Sequence, residues 1–303
     1  MPAHPFLPDR PVDEAQSLQS LAQGGLPLRA QRRIYETSAP GARSVFTSTL
    51  TPSESVVAKL TGLEPVSQVM GSSVYHVGYK GYANASSRSG GGELTALTAA
   101  YEHARSRALS RMQQEAAMLR AHAVIDVRFL SRGYDWADEL IEFNAIGTAV
   151  RIQGAPPVEQ PALTLLKADE LWKLHRAGYW PVAIAMGNCF WYAPHADCFG
   201  EGSYYSAELP AHTQASSSAR DLAVERFRRF ARHFEADGVV GVRVERDGHD
   251  VEWEVNDTEH TSFSLDLVVM GTAVVRRSDV TAPPRPPLVV DLRDLKSRYG
   301  MHG

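Results

Sequence analysis

The sequence predicts an α+β fold of two tandem βαββ modules, each an antiparallel sheet packed on one long helix, expected to assemble into a ring. The first observation is an internal repeat of three blocks in one order: 65–78 matches 181–194, 121–129 matches 236–244, and 145–150 matches 269–274. The second is a long amphipathic pattern after the first block of each copy. The third is a pair of strand-like patterns after that helix. Together they indicate a duplicated domain of about 100 residues.

Composition and charge narrow the classes of function. The chain has 303 residues with 22% charged and 44% hydrophobic residues, which is typical of a globular protein with room for two domains. A formal net charge of −4 gives no electrostatic footprint for nucleic acid. No apolar stretch is long enough to span a membrane. Two cysteines cannot build a disulfide framework, so we expect a cytoplasmic location.

Composition also divides the chain into five segments. We predict a mobile N-terminal arm (1–52), a first module (53–152), a Pro-rich linker (153–166), a second module (167–277) and a Pro-rich C-terminal tail (278–303). For the arm, docking on a neighbouring subunit is the alternative to a solvated tail. The C-terminal tail is predicted to be free in solution. The alternative is that its segment PPLVVDL adds a strand to a sheet edge of a neighbouring subunit.

Each module is predicted to open with a short helix and a strand. The helices span 53–62, with Ser53 as the N-cap, and 167–178. Gly62 and Gly178 end them. The apolar runs 66–79 and 182–194 favour strands, and a glycine interrupts each run at the same place, at Gly71 and Gly187. We interpret these two glycines as a bulge or tight bend.

The long helices give the clearest pattern. In the first copy apolar residues recur at three- and four-residue steps, at Leu94, Leu97, Tyr101, Ala104, Ala108, Met112, Ala116 and Leu119. The matching stripe of the second copy is Ala219, Ala223, Phe227, Phe230 and Phe234. Charged residues are predicted to fall largely off these stripes, among them Arg105, Arg111, Arg220 and Arg232. The basic run 226–234 therefore favours an amphipathic helix with a subunit contact over a nucleic-acid site.

Two strands are predicted to close each module. The second copy has nine more residues between them, which predicts a longer hairpin or a projecting loop around 249–261. Acidic residues alternate with Val and Trp in this insertion. This alternation favours a solvated strand face, although a carboxylate-rich rim could bind cations weakly.

These blocks resemble the YbjQ family of small bacterial proteins, which is labelled heavy-metal-binding. The resemblance lies in the PVSQVMGSSV strand, the helix started by Glu93, the AHAVIDVRF turn and strand, and the terminal GTAV. It covers roughly 64–152 and 180–277. It implies a βαββ fold that assembles as a ring, commonly a pentamer. Because this chain is duplicated, a ring of five chains with two tiers and one closed ring of alternating modules are both open.

A candidate metal site is confined to the second copy. Cys189, His195 and Cys198 have a C-x5-H-x2-C spacing, and thiolates with an imidazole suit zinc or another soft divalent metal. Asp197, Glu201 or another chain would supply a fourth ligand. The alternative is a buried inert thiol at Cys189, because an apolar strand surrounds it.

Three functions follow, and the absence of G-x-S-x-G, P-loop and Rossmann patterns favours the first. It is a non-enzymatic, homo-oligomeric ring or scaffold that binds a protein partner through the tails or the 245–262 hairpin. The second is a metal-binding module that uses the Cys/His loop. The third is an enzyme or ligand-binding protein with a pocket between subunits.

Overall fold

The structure is a computed structural model that describes residues 11–38, 46–77, 91–134, 137–194, 208, 210–255 and 258–277. These residues form a mixed α+β fold. The helices are α1 (Pro11–Ala22), α2 (Leu28–Ser38), α3 (Pro52–Leu60), α4 (Thr95–Met118), α5 (Ala168–Arg176) and α6 (Pro210–His233). The strands are β1 (Leu63–His76), β2 (Gly92–Glu93), β3 (Ala123–Tyr134), β4 (Ala137–Ile152), β5 (Ala162–Leu163), β6 (Tyr179–Pro194), β7 (Gly238–Val255) and β8 (Thr258–Arg276).

The strands form two sheets, each covered by one long helix. The first sheet has the order β1-β4-β3-β5 and the second the order β2-β6-β8-β7. All pairs are antiparallel except the short parallel pair of β5 with β3. Helix α4 packs on β1 and β4, and helix α6 packs on β6 and β8. The predicted order of strand, long helix, strand and strand is therefore confirmed around both helices.

The short helices end where the sequence predicts but begin differently. Gly62 and Gly178 follow α3 and α5 with φ of 77° and 83°, a conformation that favours glycine. The N-cap of α3 is Thr51 rather than Ser53. The Glu54 N–H donates to the Thr51 hydroxyl, and the Glu54 carboxylate accepts from the Thr51 N–H at 2.8 Å. This reciprocal capping box satisfies two backbone donors, so the helix starts one residue before Ser53.

The predicted bulge at Gly71 and Gly187 is wrong. Strands β1 and β6 run straight through these glycines, and the register shifts instead lie between Pro65 and Ser67 and between Pro181 and Ala183. A Cβ on Gly71 would clash with the carbonyl oxygen of Ala108 in α4. A Cβ on Gly187 would clash in the same way with helix α6. The glycines are therefore present to let each helix approach its sheet closely.

The apolar stripe of α4 is confirmed, with one charged exception. Seven of its predicted residues are buried, and Tyr101 is partly buried. Arg105, which was predicted off the stripe, is only 6% exposed. The cause is a second neighbour, because α4 also contacts β6 of the second sheet. In α6 the stripe is buried as far as Phe227, whereas Phe230 is half-buried and Phe234 is 39% exposed.

The prediction of a mobile arm is wrong for residues 11–38. They form α1 and α2, and the side chain of Ile34 is 1% exposed in a core shared with Met112 of α4. Arg33 donates to the Glu115 carboxylate at 2.5 Å. Burial raises the pKa of Glu115, opposed by hydrogen bonds from the Met70 N–H and Arg33. Burial of Leu26 and Ile34, together with the ion pair of Arg33 and Glu115, therefore holds this segment on the fold.

The prediction that the second hairpin is longer than the first is confirmed. Strands β7 and β8 pair from Gly238 with Val274 to Val255 with Thr258, well beyond the hairpin of β3 and β4. The side chains of 249–262 and the structure of the tail from 278 lie outside the described residues. No helix in the described residues is long and apolar enough to cross a membrane.

Candidate functional site

The two sheets meet in an interface that begins at β2. This strand directly precedes α4, yet it pairs with β6, as Gly92 with Tyr192 and Glu93 with Trp191. The Leu94 N–H continues the pairing by donating to the Phe190 carbonyl at 2.8 Å. The helix of the first sheet thus starts at the edge of the second.

A buried polar cluster fixes α4 against β6. Arg105 donates from Nη1 to the side-chain oxygen of Asn188 at 2.9 Å. The Asn188 amide donates to the Thr98 carbonyl at 3.3 Å, and the Phe190 N–H donates to the Thr98 hydroxyl at 3.2 Å. Burial lowers the pKa of the Arg105 guanidinium, and the nearby charge of Glu102 acts in the opposite direction. Because an unpaired buried polar group is costly, the cluster specifies how these two elements meet.

A second arginine joins the same place from the other side. Arg226 of α6 lies 2.7 Å from the Glu93 carboxylate and donates to the Asn188 carbonyl at 3.0 Å. The side chains of both ion-pair partners are at most one-fifth exposed. The pair is therefore screened less than a surface salt bridge.

The linker forms the other half of the interface. After β5, the Thr164 N–H donates to the Val124 carbonyl at 3.0 Å, and the Val127 N–H donates to the Thr164 carbonyl at 3.2 Å. The Asp126 N–H donates to the Leu166 carbonyl at 2.9 Å. The chain therefore extends the first sheet immediately before it enters the second.

An ion pair links the starts of the two short helices. Lys167 at the start of α5 donates to the Glu54 carboxylate of α3 at 2.6 Å. This hydrogen bond and the one from the Thr51 backbone lower the pKa of Glu54 to about 2. The Lys167 side chain is 44% exposed, so water screens the ion pair and the pair contributes little to the stability of the fold.

The same hydrogen-bond pattern occurs at the start of each half. The buried hydroxyl of Thr272 contacts the Thr164 hydroxyl at 3.1 Å and accepts from the Leu165 N–H. The buried hydroxyl of Thr148 contacts the Ser48 hydroxyl at 3.3 Å and accepts from the Thr49 N–H. We call residues in such matching places counterparts. Gly71 and Gly187 are counterparts in the strands. Each approaches one turn of a long helix, so the turn at Ala108 in α4 is the counterpart of the turn at Ala223 in α6.

Counterparts of the interface residues are exposed on β1. Phe190 and Met186 of β6 are buried, whereas their counterparts Val74 and Met70 are 57% and 40% exposed. Phe46, the counterpart of buried Ala162, is also exposed. We call Phe46, Met70 and Val74 the β1 surface.

A complementary set is exposed on the second half. Val127 of β3 is buried under the linker, whereas its counterpart Val242 of β7 is 52% exposed. Val244 lies two residues further on and is also exposed. Arg220 of α6, the counterpart of buried Arg105, has an exposed side chain beside Asp221. We call Val242, Val244 and Arg220 the β7 surface. Each surface therefore matches one side of the interface between the two sheets, but its side chains are exposed.

The candidate metal residues are only partly described. His195 and Cys198 lie outside the described residues, and the described residues contain no group of three or more His, Cys, Asp or Glu that could hold a metal ion. Cys189 is fully buried in the core under α6. Burial, reinforced by the charge of Glu93, raises the pKa of its thiol to about 12. This environment opposes the thiolate that a metal would need, and a site at Cys189, His195 and Cys198 stays a prediction.

We expect the Cys189 thiol to resist alkylation in the folded protein. With a pKa of about 12, the thiolate fraction at neutral pH is on the order of one in 10⁵. Iodoacetamide treatment at pH 7.5, followed by peptide mass spectrometry, should leave Cys189 unmodified and should label it after denaturation in guanidinium. Rapid labelling of the native protein would show that the thiol is accessible.

Two residues of the interface were not identified from the sequence. Arg105 is predicted to lie off the apolar stripe, and Asn188 is not among the predicted site residues. The available signal is a difference between the two matching strands, because Asn188 of β6 stands where β1 has Ser72. A buried amide in the place of a serine indicates that β6 has a polar partner that β1 lacks.

Comparisons with known proteins identify a domain family and a relative. A family model described as "Putative heavy-metal-binding" (YbjQ_1) matches residues 54–153. The chain is 35% identical over 242 residues to the encapsulin nanocompartment protein Rv1762c of Mycobacterium tuberculosis, and the match covers 78% of this chain and 87% of that protein. No solved structure matches the chain significantly. With this relative and this domain match, the chain belongs to the YbjQ-like family.

Proposed function

We propose that this chain is a non-enzymatic assembly protein whose two tandem YbjQ-like modules join head to tail into a closed ring. The ring acts as a scaffold that binds a partner. One observation carries the proposal: each half repeats a side of the interface between the sheets and leaves it uncovered. The β1 surface has the place of the buried face of β6, and the β7 surface has the place of buried Val127 and Arg105.

Several repeated details support the tandem modules. Both long helices contact a strand glycine, and both first strands shift register just after a proline, at Pro65 and Pro181. Buried Thr148 and Thr272 make matching hydrogen bonds. Independent origins for all three details would be a coincidence. A duplicated ancestral module explains them together.

The surfaces suggest how copies would join. The β1 surface of one copy would meet the β7 surface of the next, as the second sheet meets the first within the chain. Such a contact is heterologous, and it closes into a ring when the rotation between copies divides a full turn. We favour one ring of alternating modules, because the interface within the chain already joins the modules side by side. We favour five chains, because the YbjQ resemblance commonly implies a pentamer, and such an assembly would have five times the 33.2 kDa mass of one chain.

The mycobacterial relative supports an assembly role, since it is described as an encapsulin nanocompartment protein. We further propose a cytoplasmic location and a partner that binds the 245–262 hairpin or the tails. The backbone of that hairpin continues well past the sheet positions matched in the first half.

Replacing Val74 by aspartate should dissociate the assembly. A carboxylate buried without a partner costs about 3–5 kcal/mol, so we expect association at least about a hundredfold weaker. Light scattering would then report the mass of one chain. Val56→Asp is the matched control, because Val56 has the same 57% exposure and its counterpart Trp172 is also exposed. A wild-type chain that is monomeric at micromolar concentration, or equal masses for both variants, would contradict the proposal.

A mixing experiment tests the head-to-tail arrangement. Val74→Asp blocks the β1 surface, and Val242→Asp blocks the β7 surface. Each variant alone should be monomeric, but an equal mixture retains one intact pair of surfaces. We therefore expect a dimer containing one chain of each variant by native mass spectrometry. A mixture that stays monomeric, or dimers of one variant alone, would point to a different contact.

A further inference from the structure

A groove of about 910 Å³ runs between α4 and α6 along the first half of β6. Apolar side chains line part of it, including Leu109 of α4, Trp180 and Met186 of β6, and Phe230 of α6. Phe230 and Phe234 belong to the predicted apolar stripe of α6, yet the groove leaves them half-buried and exposed. The stripe therefore continues beyond the core into this opening.

The matching place on the first sheet is filled by the N-terminal arm. Arg111 of α4 donates to the Gly25 carbonyl at 3.2 Å, and Gln114 donates to the Gly24 carbonyl at 3.1 Å. Arg33 pairs with Glu115, and Ile34 is buried beside the same helix. The outer side of α4 is thus covered by a segment of the same chain.

The counterparts of these helix residues line the groove, where the described segment that faces them is the linker, at Val158, Gln160 and Pro161, rather than a docked arm. Arg226, Arg229 and Phe230 of α6 stand in the places of Arg111, Gln114 and Glu115. The Arg229 guanidinium has no ion-pair partner among the described residues. The Met70 N–H donates to the Glu115 carboxylate at 2.9 Å, but Phe230 offers Met186 no such acceptor. The groove therefore presents an apolar wall and a cation to an occupant.

We propose that residues 288–299 of the chain's own C-terminal tail dock in this groove. The described chain ends next to it, because the Arg277 N–H donates to the Gly178 carbonyl at 2.7 Å, and Trp180, which lines the groove, pairs with Val275. The ten residues 278–287 can reach about 30 Å at 3.1 Å per residue. Six or seven residues of β6 span about 20 Å. The tail is therefore long enough to enter the groove from its near end.

The composition of the tail fits the groove. Leu288, Leu292, Leu295 and Tyr299 recur at steps of four, three and four, the pattern of a helix with one apolar side. The segment carries charges of both signs: Asp291 and Asp294 can pair with Arg229, whereas Arg293, Lys296 and Arg298 would have to face away from the cations of the groove. The apolar side matches Leu109, Met186 and Phe230, as an amphipathic helix in a groove requires.

Photo-crosslinking of the full chain tests the docking. Leu292 is replaced by p-benzoylphenylalanine, and light and ¹⁵N-labelled chains are mixed so that links within one chain are distinguished from links between chains. We expect links from 292 to groove residues of β6, α4 or α6 within the same chain. The control places the label at Ser297, which lies off the apolar pattern, and should give at least about fivefold fewer groove links if the tail docks through that side.

A second measurement uses the unlabelled chain. Leu292→Asp with Leu295→Asp should speed amide hydrogen exchange of segments 180–186 and 226–234 about tenfold, since docking protects them. Ser297→Asp should leave that exchange unchanged. Links between chains, links outside the groove, or equal exchange in both variants would overturn the proposal. Both readouts hold for a monomer, so the docking can fail or succeed independently of the ring.

Discussion

Replacing Gly187 by alanine is expected to lower the free energy of unfolding by about 3 kcal/mol. The added Cβ would meet the carbonyl oxygen of Ala223 and the backbone nitrogen of Phe227, and backbone atoms cannot rotate away as a side chain can. Helix α6 must therefore move off its sheet, and contacts along the buried stripe are lost with it. Urea unfolding followed by circular dichroism measures the change.

Gly238→Ala is the matched control for this substitution. Gly238 lies in the same sheet, but its nearest neighbour to an added Cβ is a methyl group of Val274 at 3.9 Å. We expect a change within about 1 kcal/mol, and even a small gain, because alanine restricts the unfolded chain. Equal losses for the two variants would mean that the helix approach does not explain Gly187.

Asn188→Leu should be the most damaging substitution in the interface. It removes the acceptor of Arg105 and leaves a guanidinium buried with no hydrogen bond to Asn188. Breaking a buried charged pair from one side costs about 3–5 kcal/mol. We expect a loss of that size by urea unfolding, together with faster hydrogen exchange where α4 meets β6.

The reciprocal variant separates the charge from the shape. Arg105→Met removes the charge and leaves only a neutral amide oxygen unpaired, at about 1–3 kcal/mol. The double variant replaces both partners by apolar groups and should recover most of the loss. A larger loss of unfolding free energy for Arg105→Met than for Asn188→Leu would mean that the hydrogen bonds of the guanidinium stabilise the fold by more than its burial destabilises it.

Features that one element determines could be predicted from the sequence. The stripe of α4, the glycine ends of α3 and α5, and the longer second hairpin follow from local periodicity, turn residues and length. Gly71 and Gly187 were located correctly but explained wrongly, because their role depends on which helix lies above the strand. The spacing of residues along the sequence does not give the distance between a strand and the helix packed on it.

Features that need two distant elements were missed. Arg105 seemed to belong with solvent-facing charges, since its amide partner is 83 residues away in the chain. The arm is predicted to be mobile, yet Ile34 and Arg33 dock it on α4, which follows it by more than 50 residues in the chain. The sequence leaves open whether Cys189 is a metal ligand or a buried inert thiol. Burial under α6 favours the inert thiol, because it disfavours the ionised form.

The pairing of β2 with β6 has a consequence for synthesis on the ribosome. Gly92 must wait for Tyr192, which is made 100 residues later. At 5–20 residues per second this delay is on the order of ten seconds. During that time the start of α4 lacks its strand partner and Arg105 lacks its acceptor. The surroundings of the first sheet are therefore complete only when β6 leaves the exit tunnel, so the two halves of the chain mature together rather than in turn.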